Sequence, residues 1–431
     1  MRANKILRAF VTALTVSFFL VVFPGYAPIA EPTPQQSAPV PLLAKGQPVD
    51  WWFVFTLNSA GFPECGTGAA RKGCPFGGTV QNYKDGQQWV SASSAAPTLK
   101  QGSGCAGTTG ADPLGATFEQ VYNGSFNYLI WNDQFYNDPK IKGCTTSCGA
   151  PWGHSKGLVA WNDAGEGFVM QVSTPSWPAA GSRTHPRKTD GNTLGCVDDD
   201  DVMVSQHFFA LKLNKDDLVN VLKALQNASV VTDPTNPQIV NNGGPSDVQA
   251  LVNAFGTRSS NTTFITTTLS SGVQLISKPS NLNVPPWQMV SAILGGVDLR
   301  AATWWATPPI PTTTASTTIK CWDKSLAKPG AVQIATTGTW NGQTIGLTGG
   351  ASPDHNHAKI GVSLPGGDKS YAIFGDMNQQ GSLSGPNCKS SQNGRGGLFY
   401  VVENKDLSDS VSALINGKTA PTTLPKKKPA R

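Results

Sequence analysis

Two short segments hold the residues best placed to do chemistry: Gly153-His154-Ser155-Lys156-Gly157-Leu158-Val159-Ala160 and Asn356-His357-Ala358-Lys359-Ile360-Gly361-Val362-Ser363. In each, His-x-Lys runs into an apolar segment that reads as a buried strand. The two-residue period of an extended chain puts the imidazole and the ammonium on the same side. A lone His-x-Lys reads as a surface pair, but this chain has only five histidines and carries the pattern twice. Two imidazoles and two ammonium groups at one place are the minimum set for cleaving a phosphodiester without a metal. One neutral imidazole attacks phosphorus and forms a phosphohistidine. The other, protonated, gives its proton to the leaving oxygen. The lysines neutralise charge on the non-bridging oxygens. Water then attacks the intermediate, with the second imidazole as base. The reading depends on the two copies meeting.

Each copy is part of a longer block: His-x-Lys strand, turn, apolar strand, small polar residue. The first block runs through Gly167-Phe168-Val169-Met170-Gln171-Val172 to Ser173, across a turn at Asp163-Ala164-Gly165. The second runs through 371–374 to Asn378. His154 stands 19 residues before Ser173 and His357 stands 21 before Asn378, the order expected of a diverged duplication.

Around these blocks the chain reads as strands and long loops. Gly (46) and Pro (32) are plentiful and charged residues are 14%. Strands are expected over 51–57, 126–131, 154–161, 167–173, 207–213, 273–277, 371–374 and 397–402, with more in 330–347. Helices are expected over 216–226, 247–255 and from about 408 to 415. Residues 287–294 read as helix or buried strand, 61–118 as loops held by disulfides, 233–246 as a connection between halves, and 306–318 as a Pro/Thr linker.

Residues 1–30 read as an export signal: Arg2, Lys5 and Arg8, then an apolar run too short for the ~20 residues of a membrane span. Residues 31–45 read as a linker and 419–431 as a basic, solvated tail. No other stretch is long and apolar enough to span a bilayer. The expected product is exported, to a periplasm, the exterior or an acidic compartment. The formal charge is +6, but Arg2, Lys5, Arg8, Lys426, Lys427, Lys428 and Arg431 supply +7, leaving a body at −1 with histidines neutral. A polyanionic partner must therefore be met by a local basic site, or at a pH where histidines are charged. Eight cysteines behind an export signal read as disulfides; zinc is disfavoured because no His follows Cys144 or Cys148 in a finger-like spacing. No metal and no cofactor is expected.

Seven segments, in order, resemble the deoxyribonuclease II family. Pro48-Val49-Asp50-Trp51-Trp52-Phe53-Val54 is similar to its opening strand, and Tyr128-Leu129-Ile130-Trp131-Asn132-Asp133-Gln134 to its "LLYNDQ" segment. Gly153-His154-Ser155-Lys156-Gly157 is similar to "GHTKG", with Ser for Thr. Gly167-Phe168 through Ser173-Thr174-Pro175 resembles "GFWLVHSVP", and Thr193-Leu194-Gly195-Cys196-Val197 resembles "TLLCV". His357-Ala358-Lys359 falls where the family has "DHSKW", and Gly375-Asp376-Met377-Asn378 with Arg395-Gly396-Gly397 resembles "GDMNR…RGGG". There are departures. The Asp-His dipeptide is displaced to Asp354-His355, and His357 is the better match because it alone has Lys two residues later. Ile360 replaces the Trp after the second Lys. Neither copy has the Asp of phospholipase D enzymes; Trp161 and Leu364 stand there, which disfavours a phospholipid specialist.

The resemblance implies an α+β fold of two phospholipase D-like halves, mixed β-sheets flanked by helices, over 46–240 and 241–418. They would pack as a pseudo-dimer around one catalytic cleft. It implies acid, metal-independent cleavage of double-stranded DNA to 3′-phosphate and 5′-hydroxyl ends. On this reading His154, Lys156, His357 and Lys359 are catalytic, with His154 as nucleophile by analogy. Ser173, Asn378 and Arg395 are phosphate ligands, and Asn132 and Asp133 orient catalytic side chains. His185 and His207 carry no motif and read as structural or exposed. A homodimer is compatible with it. Two other readings stay open: a phosphodiesterase or phospholipase of the same superfold, and a secreted protein that grips phosphate or DNA without turnover. Loss of activity on changing either motif separates the enzymes from the binder, and DNA against phospholipid as substrate separates the enzymes from each other.

Overall fold

A computed structural model describes residues 37–58 and 89–424, apart from 104–105, 108–109, 145, 189–203 and 353. The expected export signal, most of the linker after it, the segment at 193–197 and the basic tail beyond 424 lie outside the described residues. So do Cys65, Cys74, Cys105 and Cys196. The other four cysteines pair as Cys144–Cys148 and Cys321–Cys388.

The class is mixed α+β. The first sheet has eight strands: β1 (Trp51–Thr56), β2 (Trp89–Ser93), β3 (Ala96–Gln101), β4 (Asn127–Asn132), β5 (Lys156–Trp161), β6 (Gly167–Val172), β7 (Gln206–Leu213) and β8 (Val240–Asn241). Their spatial order is β3-β2-β1-β7-β6-β5-β4-β8. β1 and β4 to β6 are buried along their whole length, which is why their sequences read as apolar runs rather than alternations. The β5–β6 turn closes on Asn162, whose side-chain oxygen accepts from the N–H groups of Ala164 and Glu166.

The second sheet has seven strands: β9 (Ile265–Thr268), β10 (Gln274–Lys278), β11 (Leu299–Ala302), β12 (Val332–Ile334), β15 (Ile360–Ser363), β16 (Tyr371–Gly375) and β17 (Gly397–Glu403). Their order is β12-β11-β15-β16-β17-β10-β9; β13 (Thr337–Trp340) and β14 (Gln343–Gly346) form a separate hairpin. Five α-helices occur among the described residues: α1 (Pro113–Tyr122), α2 (Lys215–Asn227), α3 (Ser246–Asn253), α4 (Pro286–Ile293) and α5 (Lys405–Leu414).

The central strands of the two sheets follow one plan. In the first, β1-β7-β6-β5-β4 are neighbours and all pairs are antiparallel. In the second, β10-β17-β16-β15-β11 repeat the order and the sense. A helix follows the last strand of each set. Both helices open on Asn-Lys-Asp, and Asn214 and Asn404 each cap theirs by accepting an N–H three residues on. The two His-x-Lys segments thus enter equivalent strands, β5 and β15.

The sheets share a core. Phe374 of β16 stacks on Phe53 of β1 and Phe209 of β7, with ring centroids 4.4 and 4.6 Å away, and Tyr400 of β17 lies 5.6 Å from Phe209. α2 and α5 each touch strands of both sheets. A second core on the other side of the second sheet is built on Trp287 of α4, edge-on to Phe399.

Two expectations are corrected. Within 61–118, where loops were expected, β2 and β3 form a hairpin and α1 begins at Pro113. Asp112 caps that helix and Pro occupies its first turn, where no N–H partner is needed. The segment 306–318 is not a loose linker. Ile310, Thr312 and Thr313 are buried, and the backbone of Thr313 bonds to Val332 at the edge of the sheet.

Candidate active site

His154 and Ser155 lie just before β5. The His154 backbone N–H donates to Gly396 O at 2.8 Å, and its Nδ1 is 2.7 Å from Asp376 O. A carbonyl only accepts, so Nδ1 carries the proton and Nε2 of the neutral ring keeps the lone pair. Lys156 opens β5. It is 2% exposed, with its ammonium 2.5 Å from Asp133 Oδ1. Arg395 Nη2 donates to Asp133 Oδ2 at 2.8 Å and to the carbonyls of Cys148 and Gly153 at 2.5 and 2.7 Å; its Nε donates to Trp152 O at 3.0 Å. Pairing along this row offsets much of the cost of withdrawing its charges from water.

The second motif lies just before β15. The His357 N–H donates to Ser205 O at 2.7 Å, and Trp304 meets its ring edge-on with centroids 4.1 Å apart. Lys359 donates its ammonium to His357 O at 2.5 Å and its backbone N–H to His207 Nδ1 at 3.1 Å. His207 is fully buried as an acceptor beneath the motif. His355 pairs instead with Asp354 at 3.2 Å.

His154, His357, Lys359 and Asn378 line one cavity of about 370 Å³, with Gln134, Tyr136 and Trp304 among its other walls. Neither His355 nor Lys156 lines it. Asn132, Asp133, Ser173 and Arg395 are buried and do not line it either. The Asn132 amide donates to Trp177 O, and the Ser173 hydroxyl donates to Gln206 and accepts from His207 N–H. Asn378 donates to Gln380. His185 stands in an exposed loop.

The electrostatics follow from this packing. Burial, then Lys156, Arg395 and Lys359, hold His154 well below the usual imidazole range, opposed by Asp133. Burial, then Lys359, Lys156 and His154, do the same to His357. Burial disfavours the Asp133 carboxylate, but Lys156, Arg395 and His154 outweigh it and keep the group ionised far into acid. Burial pushes Asp376 up to about 7 against the Ser155 hydroxyl, the Leu398 N–H, Lys156 and Lys359. Among the described residues no cluster of three or more His, Cys, Asp or Glu is placed to hold a metal ion.

Several positioning groups escaped the sequence reading. Gln134 and Asp376 sit inside recognisable segments, so their neighbourhood was visible though their roles were not. Trp304 and Gln206 carry no local signal. Gly153 and Gly396 both press against Ala228 O at the end of α2; a Cβ on either would collide with that carbonyl. Their lack of a side chain lets three segments meet behind His154.

The architecture and cavity define a mixed α+β protein in which two histidines and a lysine from separate His-x-Lys segments face one cleft. Residues 42–419 match the family model described as Deoxyribonuclease II, and the chain belongs to that family. It is an endonuclease of the deoxyribonuclease II type, a hydrolase whose substrate is DNA. No curated protein gives a significant match.

Proposed function

We propose that the chain is an exported, metal-independent acid endodeoxyribonuclease that works through a phosphohistidine on His154. Its two halves, over 46–240 and 241–418, form a phospholipase D-like pseudo-dimer around one cleft. The repeated strand order and sense support that architecture. The observation that carries the chemistry is the common cavity of His154 and His357. Nε2 of His154 attacks phosphorus, and the P–O5′ bond breaks as His357 gives its proton to the 5′ oxygen. The strand bearing the 3′ oxygen is then held as an N–P adduct. His357 next takes a proton from water as that water attacks phosphorus, and the N–P bond breaks to leave a 3′-phosphate. Lys359 and Asn378 hold the non-bridging oxygens. Lys156, Asp133 and Arg395 keep the His154 segment in place. Acid favours the reaction because His357, whose proton affinity is depressed, must be charged; strong acid opposes it by protonating His154.

The test is plasmid cleavage in EDTA from acid to neutral pH. His357→Ala is expected to lose roughly 10²- to 10⁴-fold in rate, and His355→Ala to keep most of it. The reverse pattern would move the acid to His355. Absence of wild-type cleavage at every pH in EDTA would sink the metal-free mechanism.

A further inference from the structure

A second concave surface carries charge of one sign. A groove of about 590 Å³ is lined by Lys140, Lys142, Arg258 and Trp152, with the Cys144–Cys148 disulfide in its wall, and among the described residues no Asp or Glu lines it. The three cations are exposed, and the Arg258 guanidinium lies over the Trp152 ring, 5.9 Å from its centroid. The chain between β4 and β5 builds both this groove and part of the catalytic cavity. Its Gln134 and Tyr136 line the cavity, while 140–144 and 147–152 line the groove. Trp152 is two residues from His154, about 7 Å of extended backbone. The segment is fastened where it turns: Tyr136 N–H donates to Thr146 O, Cys148 N–H to Asp133 O, and Arg395 to the carbonyls of Cys148 and Trp152. The groove is therefore fixed to the site.

We propose that this groove is a subsite for the sugar–phosphate backbone of duplex DNA beside the scissile phosphate, an assignment that rests on the nuclease reading above. A body of near-neutral net charge must meet a polyanion locally, and three cations that share a groove with no carboxylate among the described residues supply that. No histidine lines the groove among the described residues, so its hold on the strand does not depend on histidine protonation. Trp152, beneath Arg258, adds aromatic surface to the groove wall.

The experiment uses the full chain, with the triple variant Lys140→Glu, Lys142→Glu, Arg258→Glu and the charge-keeping variant Lys140→Arg, Lys142→Arg, Arg258→Lys. kcat/KM for a long duplex is measured against salt concentration, and thermal melting checks folding. Each lost phosphate contact removes about 0.9 from the log–log salt slope, so the reversed variant is expected to be shallower by up to roughly 2.7, with the loss falling on KM. The charge-keeping variant is expected to retain the wild-type slope. An unchanged slope in the folded, charge-reversed variant overturns the subsite, as does a fall in kcat alone. Failure of the wild type to cleave DNA would instead overturn the nuclease mechanism on which the subsite depends.

Discussion

Lys156 is paired with Asp133 away from the cavity, whereas Lys359 lines it, so one substitution made at both positions should separate stability from catalysis. Lys156→Met leaves the buried Asp133 carboxylate with Arg395 alone and is expected to cost about 3–5 kcal/mol in urea unfolding. Lys359→Met is expected to shift the urea midpoint less while cutting turnover by about 10²-fold or more. Asp376 makes a different prediction. Its native carboxyl, raised to about 7, keeps a proton that the unfolded chain gives up near 3.8. The folded state thus binds more protons between those values, and this group's contribution to stability falls as pH rises through that window. Asp376→Asn removes the slope, so its stability relative to wild type should improve from pH 4 towards 7. His154, His207 and His357 are depressed and act oppositely, costing stability as pH falls below 6.5. Because both proteins keep those histidines, the difference between them isolates Asp376.

The paired helices α2 and α5 invite a matched experiment, since Asn214 and Asn404 cap them alike. Asn214→Ala and Asn404→Ala are each expected to cost about 1 kcal/mol by urea unfolding, without changing the pH profile of cleavage. The buried strands were legible because long apolar and aromatic runs bounded by turn residues have few other uses. The expected 154–161 strand begins at Lys156 because His154 spends its backbone N–H on Gly396 rather than on a ladder partner. α4 stayed ambiguous because a short apolar run fits a buried strand as well as a helix; Pro286 in its first turn agrees with the helix. β2 and β3 were missed because Ser91, Ser93 and Ser94 break the apolar pattern that marks a strand.

Phe374 holds the two sheets together through Phe53 and Phe209. Phe374→Ala is expected to cost about 3–5 kcal/mol. Because the core is shared, tryptophan fluorescence and circular dichroism should report one coincident unfolding transition in wild type and variant; two separate transitions would mean that the sheets unfold independently. The near-neutral body showed in the sequence that a polyanion had to meet a local basic site or charged histidines, but not where. Lys140 and Arg258, or Asp133 and Arg395, lie far apart along the chain, and hydrophobic periodicity gives the face a residue occupies rather than the partner it meets across the fold.

The contact of Gly153 and Gly396 with one carbonyl bears on how this enzyme can change over generations. Where a helix end, a motif loop and the approach to β17 touch, there is no volume for a first methyl group. Lineages exploring new sequence or shape preferences are therefore shut out of the spine behind His154. Novelty enters more readily through the outward-facing wall of the cavity, where Tyr136 is 44% exposed.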